Sequence, residues 1–250
     1  MGRTIRNPLD SVRASRLFDG LDARTVSSIV NQGVVCTYKA GEFVFRQGEP
    51  ATHAVVIQKG LALLSDTNSE GEELLIGWLR PGDLYGPAPP LEDRLNYLLT
   101  VRAFSELTVR RWTSLEFLAM TKQYPLLVEN ILKYTCWWLE KVLGRLQLFS
   151  SENVERRLAI LVCQTAEQVG RDLPQGIELS LSNEQLAQIA GTTLFSVSRL
   201  LRCWERSGLL DKGRGRILIH KGVGVRELIE AAEKPWLPAN RVGPIRKTAT

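Results

Sequence analysis

The sequence predicts an α+β protein with an antiparallel β-roll at its N-terminal end, a long helix, and a C-terminal unit of helices with a small hairpin. Short apolar runs separated by glycine occupy the first half of the chain, a stretch almost without glycine or proline follows, and helix-capping signals recur beyond it. The length of 250 residues, with 44% hydrophobic and 24% charged residues, suits two modest globular domains and excludes a disordered or fibrous chain.

The β-roll prediction rests on residues 34–112. Two short helices are expected before them, at 9–18 and 23–30. Beyond these, apolar runs recur about every 8 to 12 residues, with glycines between them, which is typical of an antiparallel sandwich or barrel. The predicted strands are 34–38, 43–45, 54–57, 61–64, 74–76 and 107–109.

A long helix is predicted between about Tyr124 and Ser150. Pro125 is followed, up to Ser150, by no further proline and by one glycine, Gly144. Apolar side chains recur along this segment at alternating steps of four and three, the spacing that aligns a seam for a partner helix. We therefore predict a dimerisation helix over residues 121–150; the alternative is that the seam packs against its own β-roll. The seam residues are Leu132, Cys136, Leu139, Leu143 and Leu146.

Residues 183–206 have the pattern of a helix-turn-helix. Ser182 begins a capping box for a helix over 183–190, and a second helix is expected over 194–206. Ala187 is small enough for a point where two helices cross, and Gly191 falls four residues later, at a tight turn. A further helix at 152–169 opens this domain.

A hairpin with a basic tip follows and completes a winged helix-turn-helix. It is predicted from the turn at 211–216 and the alternating residues 217–220. Between Phe195 and Arg226 eight basic residues stand against two acidic ones, so the net charge of +5 is concentrated there. This density suits phosphate contacts and a few contacts to base edges of double-stranded DNA. The predicted DNA-contacting residues are Ser182, Thr193, Leu194, Phe195, Ser198, Arg199, Arg202, Lys212, Arg214 and Arg216.

Other classes of function find no support in the sequence. The four cysteines are far apart and form no C-x-x-C pair, which argues against a zinc site or a disulfide framework. With two histidines and no G-x-S-x-G motif, we predict no enzymatic activity, no metal and no cofactor. Residues 1–10 lack an apolar core of signal-peptide length, and no stretch approaches about 18 consecutive apolar residues. We therefore expect a soluble cytoplasmic protein without a membrane partner.

Taken in this order, these features resemble the bacterial transcription regulators of the cyclic-AMP receptor protein and Fnr family. The resemblance covers about residues 18–229 and is carried chiefly by LRPGDLYG at 79–86 and VSRLL at 197–201. It implies a homodimer on a palindromic DNA site, with RNA polymerase as a further partner. The implied domains are a cyclic-nucleotide-binding-like jelly roll with N-terminal helices at 1–120, the dimerisation helix, the winged helix-turn-helix at 151–234, and a flexible basic tail at 235–250.

The resemblance also implies where a cyclic nucleotide would bind, and the sequence departs from the family there. The glutamate for the ribose and the arginine–serine pair for the phosphate fall on Pro87, Tyr97 and Leu98, which supply neither the carboxylate nor the positive charge. The hydroxyl residues of the long helix fall on Val142 and Leu143. With Gly86, these residues make a degenerate effector pocket, and we expect no response to cyclic AMP. The apolar side chains either line a pocket for a hydrophobic ligand or fill the vacated site; we favour filling.

The second helix of the helix-turn-helix departs from the family as well. Phe195 stands where relatives usually carry a glutamate; it offers apolar contact, for instance to a thymine methyl group, or packs intramolecularly without touching a base. Arg199 is expected to read a guanine. Two alternatives stay open: a regulator switched by a cyclic nucleotide or another small effector in the β-roll, and a thiol redox switch at Cys136 or Cys203.

Overall fold

The computed structural model describes residues 8–71, 73–86 and 96–233. The described residues fall into two compact units, the first up to residue 152 together with 167–169, and the second made of 153–166 and the residues from 170 to 233. Pro87 and the predicted basic tail at 235–250 lie outside the described residues. Within the described ranges, no helix combines the length and the apolar character needed to cross a membrane.

The first unit begins with helices and continues into antiparallel strands. Helices α1 (Pro8–Arg13) and α2 (Ala23–Gln32) flank a short 3-10 helix, Arg16–Phe18. The strands pair in two four-stranded sheets, β1-β8-β3-β6 and β2-β7-β4-β5, so the predicted antiparallel β-roll is confirmed. Sequence reasoning missed β6, which has two residues, and β7, whose apolar pattern is interrupted by Arg102. The strands are β1 (Val34–Tyr38), β2 (Phe43–Phe45), β3 (His53–Lys59), β4 (Ala62–Thr67), β5 (Glu73–Leu79), β6 (Leu84–Tyr85), β7 (Thr100–Ala103) and β8 (Leu107–Thr113).

Strand β3 is buried on both faces, which explains its continuous apolar run. Ala54 and Val56 join a core that the N-terminal helices and the long helix form on one side of the sheet. Val55 and Ile57 join a second core made by strands of both sheets. Since successive side chains of a strand point to opposite faces, both cores need apolar residues from the same short segment.

Helices α3 (Ser114–Gln123) and α4 (Leu126–Ser151) follow the strands and contribute to the core on one side of the sheet. The predicted dimerisation helix began at residue 121, whereas residues 121–123 end α3. Pro125 explains the correction: it lacks an N–H and disfavours a helical conformation at Tyr124, whose φ and ψ are −125° and 84°. Asn130 ties α4 to the N-terminal segment, because its side-chain amide donates to the carbonyls of Leu17 at 3.0 Å and Asp19 at 2.8 Å.

The second unit is a winged helix-turn-helix, as predicted. Its four strands form an antiparallel sheet in the order β11-β12-β10-β9, and β11 and β12 make the wing hairpin. Trp204 is fully buried and donates its indole N–H to the carbonyl of Leu228 at 2.8 Å, which fixes the second helix of the motif against α8. The elements are α5 (Val154–Val169), β9 (Arg171–Leu173), β10 (Gly176–Leu179), α6 (Asn183–Ala190), α7 (Leu194–Arg206), β11 (Leu210–Gly213), β12 (Arg216–His220) and α8 (Val225–Glu233).

Candidate nucleic-acid interface and β-roll cavity

The turn between α6 and α7 is set by caps at both of its ends. The predicted capping box is present: Ser182 Oγ accepts from the Gln185 N–H at 3.1 Å, and Gln185 Oε1 accepts from the Ser182 N–H at 2.9 Å. Gly191 ends α6 with φ +54°, a left-handed conformation that costs an L side chain roughly 1–2 kcal/mol. Thr193 then caps α7, because its Oγ1 accepts from the Ser196 N–H at 3.2 Å.

Helix α7 buries one face and exposes the other. Leu194, Phe195, Arg199 and Arg202 are exposed, and Ser198 is half-buried with its Oγ accepting from Asn183 at 3.1 Å. Phe195 is 78% exposed, so the alternative in which it packs inside the protein is contradicted. The predicted contact residues of α7 therefore share one solvent-facing surface. The buried face consists of Val197, Leu200, Leu201 and Trp204.

The wing presents three further predicted contact residues, whereas Ser182 and Thr193 are the N-caps of α6 and α7. Arg214 lies at the exposed tip of the β11–β12 hairpin, and Lys212 is half-buried beside it. Arg216 is exposed, and its Nη1 donates to Glu178 Oε2 on the neighbouring strand β10 at 3.1 Å. The three basic side chains thus come from one hairpin.

His220, at the end of β12, is a site residue that sequence reasoning did not single out. Its Nε2 lies 2.9 Å from Asp211 Oδ2, and its Nδ1 lies 2.8 Å from the carbonyl of Gly208. Hydrogen bonding to Asp211 and then to that carbonyl raises the pKa of His220 above its ordinary value. Protonation would add positive charge at the base of the wing.

Two residues of α5 that the sequence analysis missed contact the helix-turn-helix. Buried Arg157 donates from Nε to the Ala190 carbonyl at 2.8 Å and from Nη2 to the Gly191 carbonyl at 3.4 Å, at the end of α6. Glu155 accepts from Arg199 Nη2 at 2.8 Å. Both contacts join residues more than thirty positions apart, so the only signal in the sequence is a charged first turn of α5.

A cavity of about 740 Å³ lies in the first unit, between the β-roll and α4. It is lined by four of the predicted pocket residues, Gly86, Tyr97, Leu98 and Val142, whereas Leu143 is not among the lining residues and Pro87 lies outside the described ones. Among the described residues, apolar side chains line this space rather than fill it, and Leu98 is 83% exposed. None of the described lining residues carries a charge.

Two tyrosines form part of the cavity wall, and the backbone uses both hydroxyls. Tyr97 OH donates to the His53 carbonyl and accepts from the His53 N–H, both at 3.0 Å. Tyr85 OH donates to the Leu99 carbonyl at 2.7 Å and accepts from its N–H at 3.0 Å. Burial raises the pKa of Tyr85 to about 12, so its ring is neutral. The wall therefore presents aromatic rings, and the ring of Tyr97 stacks on that of the core residue Phe45 with 4.1 Å between the centroids.

The predicted seam of α4 is exposed. Leu132, Leu139, Leu143 and Leu146 are each at least half exposed, and Cys136 is exposed too. The opposite face of α4 contributes its buried residues to the core of the unit. The alternative that the seam packs against its own β-roll is therefore contradicted, and α4 carries an apolar stripe without a partner among the described residues.

The structure also shows where the cysteines of the redox alternative lie. Cys203 Sγ donates to the Ala231 carbonyl at 3.3 Å, and all four cysteines are free thiols. In the part of the chain that the structure describes, no three His, Cys, Asp or Glu side chains are grouped so as to hold a metal ion.

Comparison with protein families matches both units. Residues 35–124 match the family model of the cyclic nucleotide-binding domain, and residues 156–227 match that of the Crp-like helix-turn-helix domain. Together the two matches cover more than half of the chain and fall on the β-roll and on the winged helix-turn-helix.

Individual relatives agree with these matches. The chain is 24% identical over 217 residues to the cyclic AMP receptor protein of Thermus thermophilus, covering 87% of this chain and 98% of the relative. It is 25% identical over 194 residues to the transcriptional activator protein FnrL of Cereibacter sphaeroides, covering 73% of this chain and 75% of the relative. The fold is similar to that of CLP, the c-di-GMP responsive global regulator of Xanthomonas campestris, with a TM-score of 0.72 at 17% identity over 80% of this chain and 99% of that one. By its two domains, their order and these relatives, the chain belongs to the Crp/Fnr family of DNA-binding transcription regulators.

Proposed function

We propose that this regulator binds a palindromic DNA site as a homodimer and does not require cyclic AMP. The exposed face of α7 carries the proposal for sequence readout, because Arg199 and Phe195 are exposed on a helix whose opposite face is fully buried. Arg199 would pair with the two acceptors of a guanine in the major groove, and Phe195 would contact a thymine methyl group. Half-sites would lie about 10 base pairs apart, centre to centre.

Selection from random duplexes tests the readout. The purified protein should enrich a palindrome, and Arg199→Ala should abolish the preference at the contacted guanine. Lys212→Ala or Arg214→Ala should weaken binding to all sequences and reduce its salt dependence, because phosphate contacts carry charge but no sequence information. Failure to enrich any sequence would refute specific binding.

The apolar stripe of α4 supports the homodimer. A heptad-like row of exposed leucines is costly in water, and pairing with the same row of a second chain about a two-fold axis would bury it. Leu139→Glu should therefore yield a monomer in sedimentation velocity. Leu115→Glu is the matched control: Leu115 is 79% exposed on α3, outside the stripe, and its replacement should leave the dimer intact. A dimer that survives Leu139→Glu would contradict this interface.

The chemistry of the cavity supports the lack of a cyclic-AMP requirement. A buried phosphodiester needs a positive charge, and the described lining residues supply none. Calorimetry with cyclic AMP and cyclic GMP should show no binding in the micromolar range. A micromolar affinity for either nucleotide would overturn this part of the proposal.

The cavity itself favours a second candidate, a regulator switched by a neutral, largely apolar small molecule. Its volume of about 740 Å³ lies in the usual range of ligand sites, and Tyr85, Tyr97 and Trp138 supply aromatic walls. The neutral fluorophore N-phenyl-1-naphthylamine should bind with energy transfer from tryptophan, and Val142→Trp should block it. Absence of binding to the wild type would refute this candidate. With the DNA-binding role we also propose that the protein interacts with RNA polymerase and is located in the cytoplasm.

A further inference from the structure

Two of the arginines proposed to contact DNA are each held by a carboxylate from a neighbouring element. Arg199 Nη2 lies 2.8 Å from Glu155 Oε1, in the first turn of α5, and Arg216 Nη1 lies 3.1 Å from Glu178 Oε2, on β10. The carboxylates are 27% and 16% exposed, against 55% and 62% for the arginines. In each pair the acid is thus the more buried member and the guanidinium the more accessible one.

We infer that Glu155 is a positioning residue that sets how sharply Arg199 selects a guanine; this rests on the proposed function. A long arginine side chain loses rotamer freedom when it binds a planar base edge. The bond to Glu155 occupies one of the five N–H donors of Arg199 and leaves the others for DNA. Part of the side-chain entropy that Arg199 would lose on binding DNA is therefore already lost in the free protein.

The negative charge of Glu155 also favours the preferred DNA site over other sequences. A carboxylate at 2.8 Å offsets the charge of the Arg199 guanidinium, so a phosphate anywhere on DNA interacts with it less favourably. Contact with a guanine edge depends on the geometry of two hydrogen bonds as well as on charge. Glu155 therefore lowers non-specific affinity more than affinity for the preferred site.

A purely structural role does not account for the pair. An ion pair whose arginine is more than half exposed adds little to folding stability. The Glu178–Arg216 pair has similar exposure but lies at the wing, where a phosphate contact is expected. Its removal should change affinity for all sequences together, which makes Glu178→Gln the matched control.

The test measures binding of the full-length protein to its selected site and to a scrambled duplex over a range of salt concentrations. Glu155→Gln should strengthen binding to the scrambled duplex and lower the ratio of specific to non-specific affinity about three- to tenfold. The slope of log K against log[salt] should steepen by roughly 0.9 for each additional phosphate that the protein neutralises. Glu178→Gln should strengthen both affinities and keep their ratio.

Two further probes separate position from charge. Glu155→Asp keeps the charge but is one methylene shorter, so the affinity ratio should fall while the salt slope stays near that of the wild type. Replacing the contacted guanine by 7-deazaguanine removes the N7 acceptor; the resulting loss of affinity should be smaller for Glu155→Gln than for the wild type. Unfolding midpoints in urea should be unchanged in all three variants.

The outcomes distinguish the inference from the proposed function. If the wild type shows no sequence preference, the proposed function is refuted and the role of Glu155 falls with it. If the wild type prefers a site and Arg199→Ala removes that preference, the proposed function stands. An unchanged affinity ratio and an unchanged 7-deazaguanine penalty in Glu155→Gln would then overturn the inference alone.

Discussion

Replacing Arg157 by methionine should loosen the turn between α6 and α7. The guanidinium is buried and donates to the Ala190 carbonyl at 2.8 Å and, more weakly, to the Gly191 carbonyl at 3.4 Å. A hydrogen bond from a charged group contributes about 1.5–3 kcal/mol, and a cation at a helix C-terminus adds about 0.3–1 kcal/mol. Methionine keeps most of the apolar stem, so we expect a loss of about 2–4 kcal/mol in the local stability of the motif.

Native-state hydrogen exchange of the full-length protein is the appropriate assay, because a chain of two units need not unfold in a single two-state transition. Amides of α6 and α7 that exchange through local opening should exchange about 30- to 1,000-fold faster in Arg157→Met, since 1.4 kcal/mol corresponds to a factor of ten. Amides of β3, in the first unit, serve as an internal reference. Arg171→Met, at an exposed position of β9, is the control variant. A change below tenfold in α6 and α7 would refute the role assigned to Arg157.

Three other predictions test local features. Gly191→Ala should lower stability by about 1–2 kcal/mol in denaturant titrations, because φ is +54°; an unchanged midpoint would contradict this. Gly86→Ala should destabilise the β-roll by at least about 1–2 kcal/mol, since its φ is +144° and a Cβ would lie 2.5 Å from the backbone of β3. Thermal unfolding measures this loss. A variant as stable as the wild type would contradict the close approach of Gly86 to β3. The folded-state pKa of His220 is raised above 6.5, so its contribution to stability is complete below pH 6.5 and is lost as the pH rises through the raised value. In an NMR titration of the imidazoles, Asp211→Asn should lower the pKa of His220. The pKa of His53, which burial lowers, should stay unchanged in that variant.

The fold could be predicted wherever residues close in sequence determine it. The apolar run at 54–57 indicated β3, and Ser182 with Gln185 marked the start of α6 through contacts only three positions apart. Pro125 marked a helix boundary, although the predicted start at residue 121 ignored the separate helix α3 before it. Strands β6 and β7 were missed because β6 has only two residues and the apolar pattern of β7 is interrupted by Arg102.

The candidate site could be predicted only in part, because local patterns do not show which distant residues come into contact. The exposed face of α7 follows from helical periodicity, which left Phe195 either exposed or packed inside; only the fold decided that it is exposed. The hydroxyl of Tyr97 is bound to the backbone of His53, so its ring lies in the cavity wall, and the described side chains line the site that we expected them to fill. No pattern of substitutions shows how much space distant side chains leave between them.

By itself, the sequence determined the order of the β-roll, the long helix and the winged helix-turn-helix, and the concentration of positive charge in the last of these, since these features depend on residue identity and on spacings of a few positions. Only the tertiary structure decided that Glu155 holds Arg199, that Arg157 caps α6, and that a cavity without charged lining among the described residues remains beside α4. Those features join residues far apart in the chain, and whether such residues meet depends on how whole helices and sheets pack.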